Sequence, residues 1–213
     1  MIQGSVVRGQ ESEMPGNPER EGLVMKPRVA TIWLEGCSGC HMSFLDMDER
    51  LIELAEKMDL VFSPLADIKE FPENVDVTLV EGAINTVEDL AKLRKVRSRT
   101  KILVSFGDCA VTANVPSMRN EFKLKDVLER SYIEHVDVNP GMPDFGEHGV
   151  PALLLRARPV HEFVPVEIFV PGCPPPPDAI YFVVSELLAG RTPDPARSRG
   201  SDDRSRTWKH APL

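Results

Sequence analysis

The 213-residue sequence predicts an α/β fold, a doubly wound parallel sheet with helices on both faces. Two patterns carry that expectation. Five short apolar runs recur along the chain, near-continuous rather than alternating, as strands buried on both faces require. Between them, apolar residues repeat at spacings of three and four, the signature of amphipathic helices. Strand and helix that alternate and connect by right-handed crossovers build a parallel sheet. Composition agrees, because 42% hydrophobic residues suffice for a packed core. The 25 basic and 33 acidic residues leave a formal charge of −8, which speaks against a nucleic-acid partner. No run of about 18 uncharged apolar residues offers a membrane span.

Residues 1–26 show no periodicity and read as an N-terminal arm. They lack an apolar signal region, and Arg8 and Arg20 stand apart, so a cytoplasmic location is expected. Residues 27–190 form the expected domain. Val29–Leu34 reads as its first strand, and Phe44, Met47, Leu51, Leu54, Ala55 and Met58 as one helix after it, with acids near the start that suit the helix dipole. Asp59–Phe62 and Val75–Val80 read as the next strands. Thr86 with Asp89 three residues later predicts a capping box for a helix reaching Val96. Ile102–Phe106 and Val166–Val170 complete the five strands. Ile180, Val183, Val184, Leu187 and Leu188 form the stripe of a last helix that stops at Gly190. The order predicts a flavodoxin-like sheet. His135 to Pro165, rich in proline, is too long for an ordinary connection and reads as a functional excursion. Residues 191–213 read as a loosely held tail with Trp208 as an anchor.

Four cysteines in a reducing compartment point to free thiols, redox chemistry or metal ligation rather than disulfides. Cys37 and Cys40 form a C-x-x-C pair after the first strand, Cys109 follows the fourth strand and Cys173 the fifth. Loops after parallel strands all emerge at the carboxyl edge, so the four thiols can converge there. Gly36, Gly39, Gly107 and Gly172 each lie within two residues of a cysteine, where small residues let backbone approach a bulky inorganic cube and offer N–H groups to its sulfurs. The pattern leaves three readings open: a 4Fe-4S cluster, a structural zinc held by four thiolates, or a redox C-x-x-C pair with two bystander cysteines. Zinc usually takes two local knuckles, and these ligands are widely separated.

With those motifs in view, the chain resembles the small subunits of NiFe hydrogenases and the related 20 kDa-type subunit of respiratory NADH dehydrogenase. The resemblance spans Arg28 to Thr192 and rests on Trp33-Leu34-Glu35-Gly36-Cys37-Ser38-Gly39-Cys40-His41, on Gly107-Asp108-Cys109, and above all on Pro171-Gly172-Cys173-Pro174-Pro175. It implies that Cys37, Cys40, Cys109 and Cys173 ligate one 4Fe-4S cluster, which exchanges electrons with a NiFe centre on a separate large subunit. The additional cluster motifs and twin-arginine signal of membrane-bound members are missing, as are the adjacent cysteines of the respiratory subunit. The short four-cysteine form is most similar to the small subunit of NAD-reducing hydrogenases. That likeness implies diaphorase partner subunits with the NAD site, FMN and further clusters.

Beside the cysteines, Glu35 matches a family glutamate at the subunit boundary and is a candidate for proton transfer or a hydrogen bond to the partner. His41 reads as a packing or capping residue. Asp108 reads as a cap for the following turn, and Glu81-Gly82 as a strand end facing the interface. FMN on this chain is not expected, because the loop that would cradle its phosphate is committed to the cysteines.

Overall fold

The computed structural model describes residues 25–194 except 139, 147 and 148; the tail with Trp208 and all but the last two residues of the N-terminal arm lie outside the described residues. In chain order the strands are β1 (Arg28–Trp33), β2 (Asp59–Phe62), β3 (Val75–Glu81), β4 (Ile84–Thr86), β5 (Thr100–Phe106), β6 (Leu153–Arg158) and β7 (Ile168–Val170). Five of them form a parallel sheet ordered β2-β1-β3-β5-β7. Counted among themselves these strands run 2-1-3-4-5, the flavodoxin-like order.

Helices cover both faces, so the strands alternate between two apolar clusters. On one face Val29, Leu79, Val104 and Phe106 meet Phe44, Leu54, Ile180 and Val184. These come from α1 (Gly39–Leu45), α2 (Arg50–Lys57) and α6 (Pro177–Leu188). On the other face Ala30, Ile32, Val80 and Leu103 meet Leu93, Val96 and Ala110, from α3 (Val87–Arg99) and α4 (Asp108–Thr112). The α3 start is a capping box: Thr86 Oγ1 accepts from Asp89 N at 2.9 Å, and Asp89 Oδ2 accepts from Thr86 N at 3.0 Å. Arg97 and Arg99 end the helix, where positive charge suits the dipole. Gly190, at φ 70, follows the Ala189 cap of α6.

Three expectations need correction. The single helix from Phe44 to Met58 is two helices. Asp48, at φ 50, turns the chain between α1 and α2, a conformation that short polar side chains tolerate. Apolar spacing could not reveal the break, because Met47 in the turn is buried as well, at 3% exposure. The acids expected at the helix start are absent from the first turn of α1, although Glu53 occupies that of α2. The strand predicted from Val166 begins only at Ile168. Within the excursion, β6 pairs antiparallel with β4 to make a two-stranded ribbon. Between β5 and β6 lie a 3-10 helix (Val115–Glu121), α5 (Leu124–Glu129) and a π-helical turn (Arg130–Glu134). No helix among the described residues is long and apolar enough to cross a membrane.

The packing predicts two graded losses. Thr86→Ala removes one capping acceptor and costs about 1 kcal/mol; Leu93→Ala, at a fully buried position, costs about 2–5 kcal/mol. Urea unfolding followed by circular dichroism measures both.

Candidate metal centre

The carboxyl edge of the sheet carries three cysteine loops. β1 leads through Glu35 and Gly36 to Cys37, and Cys40 sits in the first turn of α1; β5 leads to Cys109 at the start of α4; β7 leads to Cys173. All four thiols line one cavity of about 80 Å³, together with Gly39, Gly172, Glu81 and Asp108. That volume is well above what one water needs. Cys40 is buried, Cys109 is half-buried, and Cys37 and Cys173 are exposed; all four are free.

Charge inside this cavity is unbalanced. Burial pushes the Cys40 thiol strongly up, and Glu81 and the other three cysteines push it further in the same direction. Cys109 is raised too, first by burial and then by Cys173 and Cys37. Ionising all four thiols therefore needs compensating positive charge, which an iron-rich inorganic centre supplies. The donor set fits such a centre. Among the described residues no group of three or more His, Cys, Asp or Glu is gathered closely enough to hold a single metal ion.

Two glycines leave space where a side chain could not go. A Cβ on Gly107, which sits at φ 84, would overlap Cys40 Sγ. On Gly172, at φ 142, it would fall 2.5 Å from Pro175 Cα. Gly39 lies close to Cys37, since its Cβ would stand 3.2 Å from that Sγ. Gly36 and Glu35 are not on the cavity lining. Gly36 packs toward Gly82, where a methyl group on Gly36 would stand 3.5 Å from Gly82 Cα. Glu35 is half-buried, and its backbone pairs with Ala83 at 3.2 and 2.7 Å. Its charge raises the Arg119 guanidinium, against a larger lowering by burial.

Glu81 is the residue that the sequence pattern placed wrongly. Rather than facing an interface it is 2% exposed. Its carboxylate accepts from Cys40 N at 3.3 Å and from His41 N at 3.0 Å, and Oε2 also meets His41 Nδ1. An acid directly after the apolar pair Leu79-Val80, at the carboxyl edge where the cysteine loops emerge, was the available signal. His41 is buried between Trp33 and Phe106 rings, and its Nε2 has no partner among the described residues. Asp108 does not cap its turn either. Gly107 holds the N-cap position, and Asp108 Oδ1 accepts from Gly172 N across to the β7 loop.

Fold and site together define a class: a parallel α/β chain that presents four thiols from three loops at one sheet edge. Over residues 37–187 the chain matches the family described as NADH ubiquinone oxidoreductase, 20 Kd subunit, and it belongs to that family. It is 42% identical over 193 residues to the NAD-reducing hydrogenase HoxS subunit delta of Cupriavidus necator, covering 84% of this chain and 88% of that protein. Among solved structures, one chain of an NAD+-reducing NiFe hydrogenase in the H2-reduced state superposes with a TM-score of 0.76 at 38% identity, over 83% of this chain and 99% of that one. A chain of the NiFeSe hydrogenase of Dm. baculatum shares the fold, with a TM-score of 0.51 at 20% identity over 78% of this chain and 62% of that one.

Exposure and electrostatics set an order of thiol reactivity. Cys37 and Cys173 are exposed, whereas the raised thiols of Cys109 and buried Cys40 carry less thiolate at pH 8, so in the metal-free chain iodoacetamide should modify Cys37 and Cys173 first and Cys40 last. The spread should exceed about tenfold, read by mass spectrometry of peptides sampled over time.

Proposed function

We propose that this chain is the electron-relay small subunit of a NAD-reducing NiFe hydrogenase, holding one 4Fe-4S cluster on Cys37, Cys40, Cys109 and Cys173. The observation that carries the reading is the cavity those four thiols line at the carboxyl edge of the sheet. A structural zinc usually takes two local knuckles, whereas here three separate loops bring the four thiols to one cavity. When bound, the cluster supplies reversible one-electron storage at the subunit boundary.

The chain's own residues divide the remaining work. Glu81 fixes the backbone of Cys40 and His41 from below, and Gly107 leaves room for the Cys40 sulfur. Exposed Cys37 and Cys173 stand where a partner can approach. Glu35 is assigned to the boundary, for proton transfer or a hydrogen bond to the partner, with Arg119 as its neighbouring charge.

The names of its relatives support the partners. The Cupriavidus necator relative is a subunit of an NAD-reducing hydrogenase, and the matched solved structure is of an NAD+-reducing NiFe hydrogenase. On this reading a large subunit carries the NiFe centre and cleaves H2, while diaphorase subunits carry NAD, FMN and further clusters in a cytoplasmic complex. Exposed apolar side chains support a docked chain: Met118 lies within the 3-10 helix after Cys109, Phe122 caps its end, and Leu155 lies on the adjoining β6.

The relay role separates from hydrogen activation in one experiment. In the anaerobically purified complex, Cys109→Ser should lower H2-dependent NAD reduction by at least the roughly 10–100-fold typical of lost outer-shell metal partners. Hydrogen–deuterium exchange catalysed at the nickel subunit, which exports no electrons, should persist. Undiminished NAD reduction would refute the assignment.

A further inference from the structure

We propose that Asp108 is a positioning residue that keeps the Cys109 and Cys173 loops in register, so that their thiols face the bound group as a matched pair. The proposal rests on the cluster reading above. The β5–β7 ladder ends with Phe106 opposite Val170. Past that point the two chains have different futures, a helix on one side and a run of prolines on the other. They nevertheless stay joined. Gly107 N donates to Val170 O at 2.7 Å, Asp108 N donates to Gly172 O at 2.9 Å, and Gly172 N donates to Asp108 Oδ1 at 2.6 Å.

The last bond spans 64 positions, the same offset as Phe106 and Val170, and continuing it by one residue sets Cys109 against Cys173. The two backbone bonds can be made by most residues. The third needs an acceptor on the side chain at position 108, and without it the Gly172 N–H, part-buried, loses its partner. Gly172 has no side chain by which to be held, and the close approach of Pro175 forbids one. Its backbone is therefore the handle by which the loop before Cys173 is gripped, the carbonyl by Asp108 N and the N–H by the Asp108 side chain.

Asparagine keeps an acceptor oxygen in the same place and removes the charge; alanine removes both. The test uses the anaerobically purified full-length chain in its complex, with the Asp108→Ala and Asp108→Asn variants. In Asp108→Ala, amide deuterium uptake across residues 170–175 should rise and iron loss to a chelator should quicken at least about tenfold. Asp108→Asn should restore wild-type uptake and iron retention, while the midpoint potential of the cluster moves upward because a negative charge beside it is gone. A merely structural acid would not produce that split between the two variants. Wild-type uptake and retention in Asp108→Ala would overturn the proposal, as would an Asp108→Asn variant that exchanges and loses iron as fast as Asp108→Ala. If Asp108→Ala does not fold, the Asp108→Asn comparison with wild type decides alone, since raised uptake there overturns the tie. A wild-type complex without cluster signals from this chain would instead refute the cluster reading, and the deuterium uptake would still report on the loop tie.

Discussion

Four thiols gathered around one cavity at one sheet edge are the constraint that the rest of this structure serves. Burial disfavours the thiolates of Cys40 and Cys109, the neighbouring cysteines disfavour them further, and Glu81 adds negative charge against Cys40. Without metal Cys40 and Cys109 therefore favour the neutral thiol, and ionising the set needs cationic charge in the middle, which couples metal binding to proton release. The parallel sheet makes the crowding possible. Its strands β1, β5 and β7 deliver segments that are far apart in the chain to the same rim, and two helix-covered faces hold those strands rigidly.

Rigid strands do not by themselves place loops, and each cysteine loop is anchored by a different device. The first is held from beneath by a buried carboxylate that collects two backbone N–H groups and a histidine ring. The second and third are zipped to each other beyond the ends of their strands. Glycine at 107 and 172 then serves packing as much as flexibility: in both places a methyl group would collide with another part of the cysteine shell. Depth is graded as well, from buried Cys40 to exposed Cys37 and Cys173, which leaves one side of the cavity open to a second polypeptide.

Much of this is legible in the sequence. Apolar runs locate all five strands of the parallel sheet, Thr86 and Asp89 announce the start of α3, and Gly190 marks the end of α6. The cysteines stand out because three of the strands are each followed directly by one of their loops. What escapes depends on tertiary context. Met47 keeps a helical rhythm through a turn, because burial and helicity are different properties. The β4–β6 ribbon escapes because β4 is three residues long and its last residue doubles as a helix cap. Glu81 and Asp108 look like ordinary polar residues at element ends, and only a partner 40 or 64 positions away reveals their work.

Iron K-edge X-ray absorption on the anaerobically prepared complex, compared between wild type and a variant with Cys37, Cys40, Cys109 and Cys173 all replaced by serine, probes the cluster assignment most directly. The wild type should carry an extra share of sulfur and iron–iron scattering, of the size expected for one cubane, that the variant lacks. Identical iron spectra, or zinc in place of iron on this chain, would contradict it.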